Sequence, residues 1–172
     1  KKSGQRQSGQ SNTLSEEVVK KVTEGNYYAL LIGIEDYRDE AIQPLDNPVR
    51  DATQLGQILI SRYQFSQDHV YLLKNPGRED IIDALDQLNQ ALTPTDNLLV
   101  FYAGHGYWDA EDEIGYWLPA DATQKNTANW LRNSTLRDYL RAIKTKHTLL
   151  ISDACFSGSI FKTRKAFADA PK

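Results

Sequence analysis

The hydrophobic residues of this chain fall into four short continuous runs. Tyr27–Ile34 reads YYALLIGI, His69–Leu73 reads HVYLL, Asn97–Ala103 reads NLLVFYA and His147–Ser152 reads HTLLIS. Runs of this length without polar alternation are typical of strands that are buried on both faces. They predict four strands of one sheet that is covered on both sides.

Between these runs, apolar residues recur at the spacing of amphipathic helices. A first helix is expected to begin at Asn47 and Pro48, a polar N-cap followed by proline at the first helical position. The apolar positions of the three predicted helices are Val49, Ala52, Leu55 and Leu59; Ile81, Leu85, Leu88 and Leu92; and Leu136, Tyr139, Leu140 and Ile143. Ile114–Leu118 predicts a short extended segment. Strands that alternate with helices indicate an α/β fold, a mostly parallel sheet flanked by helices.

Composition and charge restrict the class of protein only coarsely. The chain has 172 residues, 40% hydrophobic and 25% charged, which suits one globular domain with a sizeable core. A net charge of -3 gives no reason to expect a nucleic-acid partner, and no apolar run is long enough to predict a membrane span. The chain has no signal-peptide pattern, and we expect a cytoplasmic location. It also lacks an initial Met, which suggests a piece of a longer protein.

The two ends of the chain differ in composition from its centre. Residues 1–20 are rich in Gly, Ser, Gln and Lys, so we expect a disordered N-terminal segment. Residues 21–160 are predicted to form the folded domain. Residues 161–172 hold no strand-like run and are typical of a basic linker; their basic residues are Lys162, Arg164, Lys165 and Lys172.

Two of the predicted strands deliver reactive residue types to the same edge of the sheet. One run leads into Gly104, His105 and Gly106, and another leads into Cys155, the only cysteine. Ligand sites of open parallel sheets lie at the carboxyl ends of the strands, and an imidazole activates a thiol. A packed histidine and a buried thiol would explain either residue alone, but the pair favours a His105–Cys155 catalytic dyad. The N–H groups of Gly106 and Cys155 are candidates for an oxyanion hole.

The sequence around these two residues resembles the caspase-like cysteine peptidases. That family has a Q-A-C-x-G type motif with its histidine about 50 residues upstream, and here His105 lies 50 residues before Cys155. Residues 153–158 read DACFSG and residues 102–106 read YAGHG, a form closer to metacaspases and their bacterial relatives, the orthocaspases, than to animal caspases. The resemblance covers roughly residues 27–158.

The resemblance implies a caspase-hemoglobinase fold and the function of a large catalytic subunit. In that fold the large subunit supplies the dyad, and a small subunit, which is not in this chain, supplies the last strands. The implied activity is that of a cysteine endopeptidase acting on proteins or peptides through an acyl-enzyme intermediate. The implied partners are the protein's own small subunit and its substrates.

The resemblance also implies cleavage after Arg or Lys. Asp153 stands where animal caspases have Gln and where metacaspases have an Asp that helps to bind a basic substrate side chain. Asp51, in the segment PVRDA, matches a second acidic residue of that pocket, although the Cys of the family's C-V-N-D-A segment is absent here. Two carboxylates would bind Arg or Lys through charge-assisted hydrogen bonds. Taken alone, Asp51 is also explained by the helix dipole and Asp153 by a turn.

A protease of this specificity would have cleavage sites in its own sequence. Lys162, Arg164, Lys165 and Lys172 are candidate self-processing positions. A basic linker that is merely kept solvated by these charges explains them as well.

We expect no cofactor and no dedicated metal site. Many metacaspases are activated by calcium, and an acidic loop follows His105, but its spacing matches no EF-hand. A solvated loop is the simpler interpretation of its residues, Asp109, Glu111, Asp112 and Glu113.

Three other functions compete with this interpretation. The first is a catalytically silent scaffold or regulatory module of the same fold, whose dyad would normally be broken. The second is a nucleotide-binding α/β domain, which residues 33–37 disfavour because GIEDY is an acidic turn unsuited to phosphate. The third is another thiol hydrolase of related fold, separase-like or gingipain-like, which would share the dyad but less of its sequence context.

Overall fold

The computed structural model describes residues 24–154 of the chain. The strands are β1 (Tyr27–Gly33), β2 (Phe65–Lys74), β3 (Asn97–Gly104), β4 (Gly106–Asp109), β5 (Ile114–Trp117), β6 (Leu131–Arg132) and β7 (His147–Ala154). The helices are α1 (Pro48–Arg62), α2 (Arg78–Ala91) and α3 (Asn133–Ala142). Four strands form a parallel sheet in the order β2-β1-β3-β7, and β4-β5-β6 form a small antiparallel sheet. This confirms the predicted α/β fold.

The sequence pattern missed the two shortest strands and the beginning of β2. β4 and β6 have four and two residues, too few to form a recognisable apolar run. β2 begins at Phe65 rather than at His69. The apolar pattern missed this part of the edge strand because residues 66–68 are polar and exposed. His69 therefore lies inside β2, where its ring stacks on Tyr28 at a centroid distance of 4.1 Å.

The main sheet separates two apolar clusters. Helix α1 covers one face of the sheet, and α2 and α3 cover the other. The α1 side contains Ala29, Leu31, Ala52, Leu59, Phe101 and Ala103. The opposite side contains Leu30, Ile32, Ile81, Leu85, Leu88, Val100, Tyr102 and Leu136. Consecutive residues of β1 and β3 thus alternate between the clusters, which explains why both strands are apolar throughout.

The edge strand β7 is exposed on both faces in residues 24–154. The large apolar residues Leu149, Leu150 and Ile151 are 55%, 39% and 39% exposed. On one side β7 pairs with β3, and within the described part of the chain no strand pairs with its other side. No helix in this part is long and apolar enough to cross a membrane.

The start of α1 is fixed to the end of β1. Pro48 opens the helix as predicted, but the expected capping by the Asn47 side chain is wrong, because Asn47 has φ 78° and its side chain makes no cap hydrogen bond. The Glu35 carboxylate instead accepts the N–H of Val49 at 3.3 Å. Gly33 lies so close to α1 that a Cβ there would stand 2.6 Å from the Pro48 carbonyl oxygen and 2.7 Å from the Val49 Cα.

We expect Gly33→Ala to displace the first turn of α1 and to lower the free energy of unfolding by about 1–3 kcal/mol, the usual cost of overpacking. Urea denaturation checks this. Gly56→Ala is the matched control, since its Cβ would meet only side-chain atoms, Leu31 Cδ1 at 3.1 Å and Val70 Cγ1 at 3.6 Å, and alanine favours a helix over glycine by about 1 kcal/mol. Equal stability of Gly33→Ala and the control would show that the approach of α1 to β1 is not fixed by this glycine.

Candidate active site

The candidate site lies at the carboxyl ends of β3 and β7. These strands pair in parallel, and their last residues, Gly104 and Ala154, are register partners. His105 follows Gly104 directly, and Cys155 is the next residue in sequence after Ala154. Cys155 and the four basic processing candidates, Lys162, Arg164, Lys165 and Lys172, lie outside the described residues. Of the two residues of the predicted dyad, the structure therefore describes His105 and its surroundings.

The backbone of His105 is fixed by three hydrogen bonds. Its N–H donates to the Tyr37 hydroxyl at 2.8 Å, and its carbonyl accepts the N–H of Leu118 at 3.0 Å and the hydroxyl of Tyr102 at 2.6 Å. The Tyr102 ring is itself stacked on Trp117, with centroids 4.1 Å apart and planes 5° apart. The backbone of His105 is thus held firmly in place, and the residue is only 8% exposed.

The side chain of His105 is oriented by the β1–α1 loop, residues 34–47. Its Nε2 lies 2.8 Å from the carbonyl oxygen of Gln43. Since a carbonyl can only accept, Nε2 carries the proton, and in the neutral ring Nδ1 is the unprotonated nitrogen. Burial lowers the pKa of His105 below its ordinary value, and the Gln43 hydrogen bond offsets this only in part. The ring is therefore kept neutral, with Nδ1 able to take up a proton.

We expect the burial of the His105 imidazole to be visible in an NMR titration of its ring. The pKa of His105, followed by NMR through its ring C–H resonance and assigned with His105→Gln, should lie below the ordinary value of about 6.5. Because the folded pKa is lowered, stability is retained above the unfolded pKa and declines as the pH falls through the folded one. A pKa at or above 6.5 would show that the ring is more hydrated than the structure indicates.

Gly106, the first oxyanion candidate, has its N–H directed away from β5. Gly106 pairs with Trp117, and the hydrogen bond from Leu118 N–H to the His105 carbonyl makes this a non-hydrogen-bonded pair of the antiparallel ladder. In such a pair the N–H group does not point to the partner strand. The Gly106 amide is therefore not used by the hairpin and lies next to His105. The second candidate, the N–H of Cys155, lies outside the described residues.

Asp153 and Asp51 lie at the same edge and on the same face of the sheet. Asp153 is the register partner of Ala103, which in turn pairs with Gly33. Ala103 belongs to the α1 cluster, and register partners in parallel strands share a face, so Asp153 also faces the α1 side. Asp51 is in the first turn of α1, which packs on Gly33 two strands away, a spacing of about 10 Å between strand axes.

The carboxylate of Asp51 is already paired. Both Nε and Nη2 of Arg50 lie 3.3 Å from its Oδ1, and the two side chains are 60% and 46% exposed. An exposed pair of neighbouring residues contributes little to stability, about 0–1 kcal/mol. Asp51 therefore remains accessible to another cation, which would compete with Arg50 for it.

The acidic loop after His105 forms a turn. The carboxylate of Asp109 accepts the N–H groups of Glu111 and Asp112 at 3.0 and 3.3 Å. Between residues 24 and 154, no three or more His, Cys, Asp or Glu side chains are grouped so that they could hold a metal ion.

Two residues of this site, Tyr37 and Gln43, were missed by the sequence analysis. Tyr37 contacts His105 through its hydroxyl and its ring, and Gln43 contacts it through a backbone carbonyl. A backbone carbonyl has no residue signature, and the loop has no periodicity, so neither contact could be found from the sequence. The only signal was that Tyr37 closes the GIEDY turn at the carboxyl end of β1.

Comparison with known proteins agrees with this geometry. A family model described as the caspase domain matches residues 26–170. The chain therefore belongs to the caspase-domain family, which confirms the resemblance seen in the sequence.

The relatives of the chain include several metacaspases. Metacaspase-1 of Eremothecium gossypii is 29% identical over 150 residues, covering 78% of this chain and 32% of that protein. Metacaspase-6 of Arabidopsis thaliana is 28% identical over 150 residues, covering 80% of this chain and 39% of that protein. The chain thus spans between 32% and 39% of the length of these two relatives.

A solved structure shares the fold. The crystal structure of protein GSU0716 from Geobacter sulfurreducens superposes with a TM-score of 0.62 at 23% identity, covering 78% of this chain and 52% of that chain. At this identity the similarity concerns the fold alone, and the caspase description of that fold comes from the family model.

Proposed function

We propose that this chain is the catalytic large-subunit portion of a metacaspase-type cysteine endopeptidase with His105 and Cys155 as its dyad. One observation carries the proposal. In a chain of the caspase-domain family, the register pairs Gly104 with Ala154, so that His105 and Cys155 each come directly after one of two adjacent paired positions. The tautomer of His105 supports it further, because the unprotonated Nδ1 is available for a thiol proton.

The reaction follows from these groups. His105 Nδ1 takes the proton of the Cys155 thiol, and the thiolate sulfur attacks the carbonyl carbon of the scissile peptide bond. The N–H groups of Gly106 and Cys155 hold the developing oxyanion. The imidazolium then protonates the leaving amine as the C–N bond breaks, which leaves a thioester. His105 next removes a proton from water, the hydroxide displaces the thiolate, and the thiolate regains its proton from the imidazolium.

Substrate selection is assigned to Asp153 and Asp51. They share one edge and one face of the sheet, on two elements about two strand spacings apart. Two carboxylates in that position would attract the guanidinium or ammonium group of a substrate Arg or Lys at P1, the residue before the cleaved bond. We therefore propose cleavage after Arg or Lys.

The full-length gene product should cleave fluorogenic peptides with Arg or Lys at P1 faster than otherwise identical peptides with Asp. Cys155→Ala and His105→Ala should each lower kcat by at least about a thousandfold, because they remove the nucleophile or its base. Asp153→Asn and Asp51→Asn should lower kcat/KM for basic P1 residues, with Asp68→Asn, an exposed acid of β2, as the control for lost charge.

The possible outcomes test the catalytic dyad and the substrate specificity separately. A preference for Asp at P1 would refute the assignment of the pocket and leave the dyad standing. Failure both to cleave peptides and to react with a cysteine-directed peptidyl probe would favour a silent scaffold of the same fold. Activity in Cys155→Ala would refute the proposed function itself.

A small subunit is the proposed partner of β7. Leu149 and Ile151 face the α1 side and Leu150 faces the other side, and all three are exposed. An apolar strand of this kind is stable in water only when further strands and helices cover it. This supports completion of the sheet by a segment of the same protein.

Self-processing would separate the two subunits. We expect mass spectrometry of the full-length wild-type protein to find new chain ends after one or more of Lys162, Arg164, Lys165 and Lys172. The reason is that a basic-specific protease finds suitable residues in its own linker. The Cys155→Ala protein should stay intact. The same chain ends in Cys155→Ala would show that another protease makes the cut.

A further inference from the structure

We propose that Tyr37 is a positioning residue for His105. The hydroxyl and the ring of Tyr37 together hold the imidazole in the orientation needed for proton transfer. This inference rests on the proposed function. Tyr37 contacts His105 through its hydroxyl and its ring, and its proposed role is exerted through the histidine.

The hydroxyl of Tyr37 replaces a strand partner. Gly104 is the last residue of β3 with a register partner, Ala154, and on the other side β1 has already ended at Gly33. Within residues 24–154, the N–H of His105 therefore lies beyond the two ladders that β3 forms in the main sheet. It donates to the Tyr37 hydroxyl at 2.8 Å, which fixes the backbone of His105 where the sheet no longer does.

The ring of Tyr37 acts on the same residue from another direction. Its centroid lies 5.1 Å from that of the His105 imidazole, with 39° between the planes, which is within the range of aromatic contacts. The imidazole is thus restrained by the Tyr37 ring and by the Gln43 carbonyl at Nε2. These two contacts come from one loop, so movement of that loop would change both.

The β1–α1 loop is anchored independently of His105. At its start, the Asn75 side chain accepts the N–H groups of Glu35 and Asp36 at 2.8 and 3.2 Å. Next to Tyr37, the Arg38 N–H donates to the carbonyl of Ala120 at 2.8 Å.

Asp39 provides a further anchor. Its carboxylate accepts the N–H of Ala41 at 3.0 Å and that of Gln124 at 2.8 Å. These backbone hydrogen bonds, led by the one from Gln124, hold the pKa of Asp39 below its ordinary value. The loop is therefore fixed to the 120–124 segment, and Tyr37 can serve as a fixed support for the histidine.

Tyr37→Phe removes the hydroxyl and keeps the ring. It leaves the N–H of His105 without its acceptor and allows the imidazole to shift, and a displacement of about 1 Å can cost about a hundredfold in rate. We expect kcat of the full-length enzyme to fall about 10- to 100-fold with KM within about twofold of wild type. The acid limb of the kcat/KM profile should move to higher pH, since a looser ring is better hydrated and its pKa rises towards the ordinary value.

Tyr139→Phe is the matched control. Tyr139 is a half-buried tyrosine of α3 that packs on the core and lies on a different element from the site. It should leave kcat and the pH profile unchanged. Rates are compared at a temperature where circular dichroism shows each protein to be folded. A second variant, Asp39→Asn, weakens the loop anchor at a half-buried position and should change kcat and the pH profile in the same direction as Tyr37→Phe, by a smaller factor.

These variants distinguish failure of the proposed function from failure of the positioning role of Tyr37. If His105→Ala retains activity, the proposed function fails. If His105→Ala is inactive while folded Tyr37→Phe has the wild-type kcat and pH profile, the role of Tyr37 is refuted and the dyad stands. If Tyr37→Phe does not fold, a wild-type kcat and pH profile in Asp39→Asn refutes the positioning role, and a lowered kcat with a shifted acid limb supports it.

Discussion

The hydrogen bond between His105 Nε2 and the Gln43 carbonyl is the interaction on which the proposed chemistry of this site depends. The carbonyl can only accept, so it decides which ring nitrogen is protonated and leaves Nδ1 without a proton. Burial keeps the ring neutral by lowering its pKa. The other neutral tautomer, with its proton on Nδ1, could not accept a thiol proton at Nδ1. This contact thus sets the tautomer of the ring and also helps to orient it.

That contact is possible only because the sheet and the loop meet at one edge. The parallel register brings β3 and β7 to an end together, and the close approach of Gly33 to Pro48 and Val49 turns the β1–α1 connection back over the same edge. A larger residue at position 33 would push the first turn of α1 away from β1. The same packing sets the first turn of α1, and with it Asp51, on the face that Asp153 shares. The histidine and the two carboxylates therefore depend on one piece of backbone geometry.

The sequence predicted the parts of this arrangement that depend on periodicity and covalent order. Continuous apolar runs identified β1, β3 and β7. The central strands β1 and β3 have such runs because both of their faces are buried, and β7 was found from its short run Leu149–Ile151. His105 followed from its place after such a run. The supports of His105 could not be predicted: Tyr37 and Gln43 act across a non-periodic loop, and Gln43 acts through an atom that every residue has. The capping of α1 failed for a similar reason, since Glu35 reaches Val49 from another element and leaves Asn47 free to take a positive φ.

The incomplete pairing of the edge strand β7 bears on the proposed activity. It carries Asp153 and leads into Cys155, yet in the described part of the chain it pairs on one side only and exposes apolar residues on both faces. A strand held by one neighbour twists and frays more readily than one held by two. His105, by contrast, is fixed by contacts that lie entirely within residues 24–154. Within the proposed mechanism, the base is therefore rigid in the large subunit alone, while the geometry of the nucleophile and of Asp153 depends on what covers β7. Completion of the sheet would then control the reaction through the thiol side of the dyad rather than through the histidine.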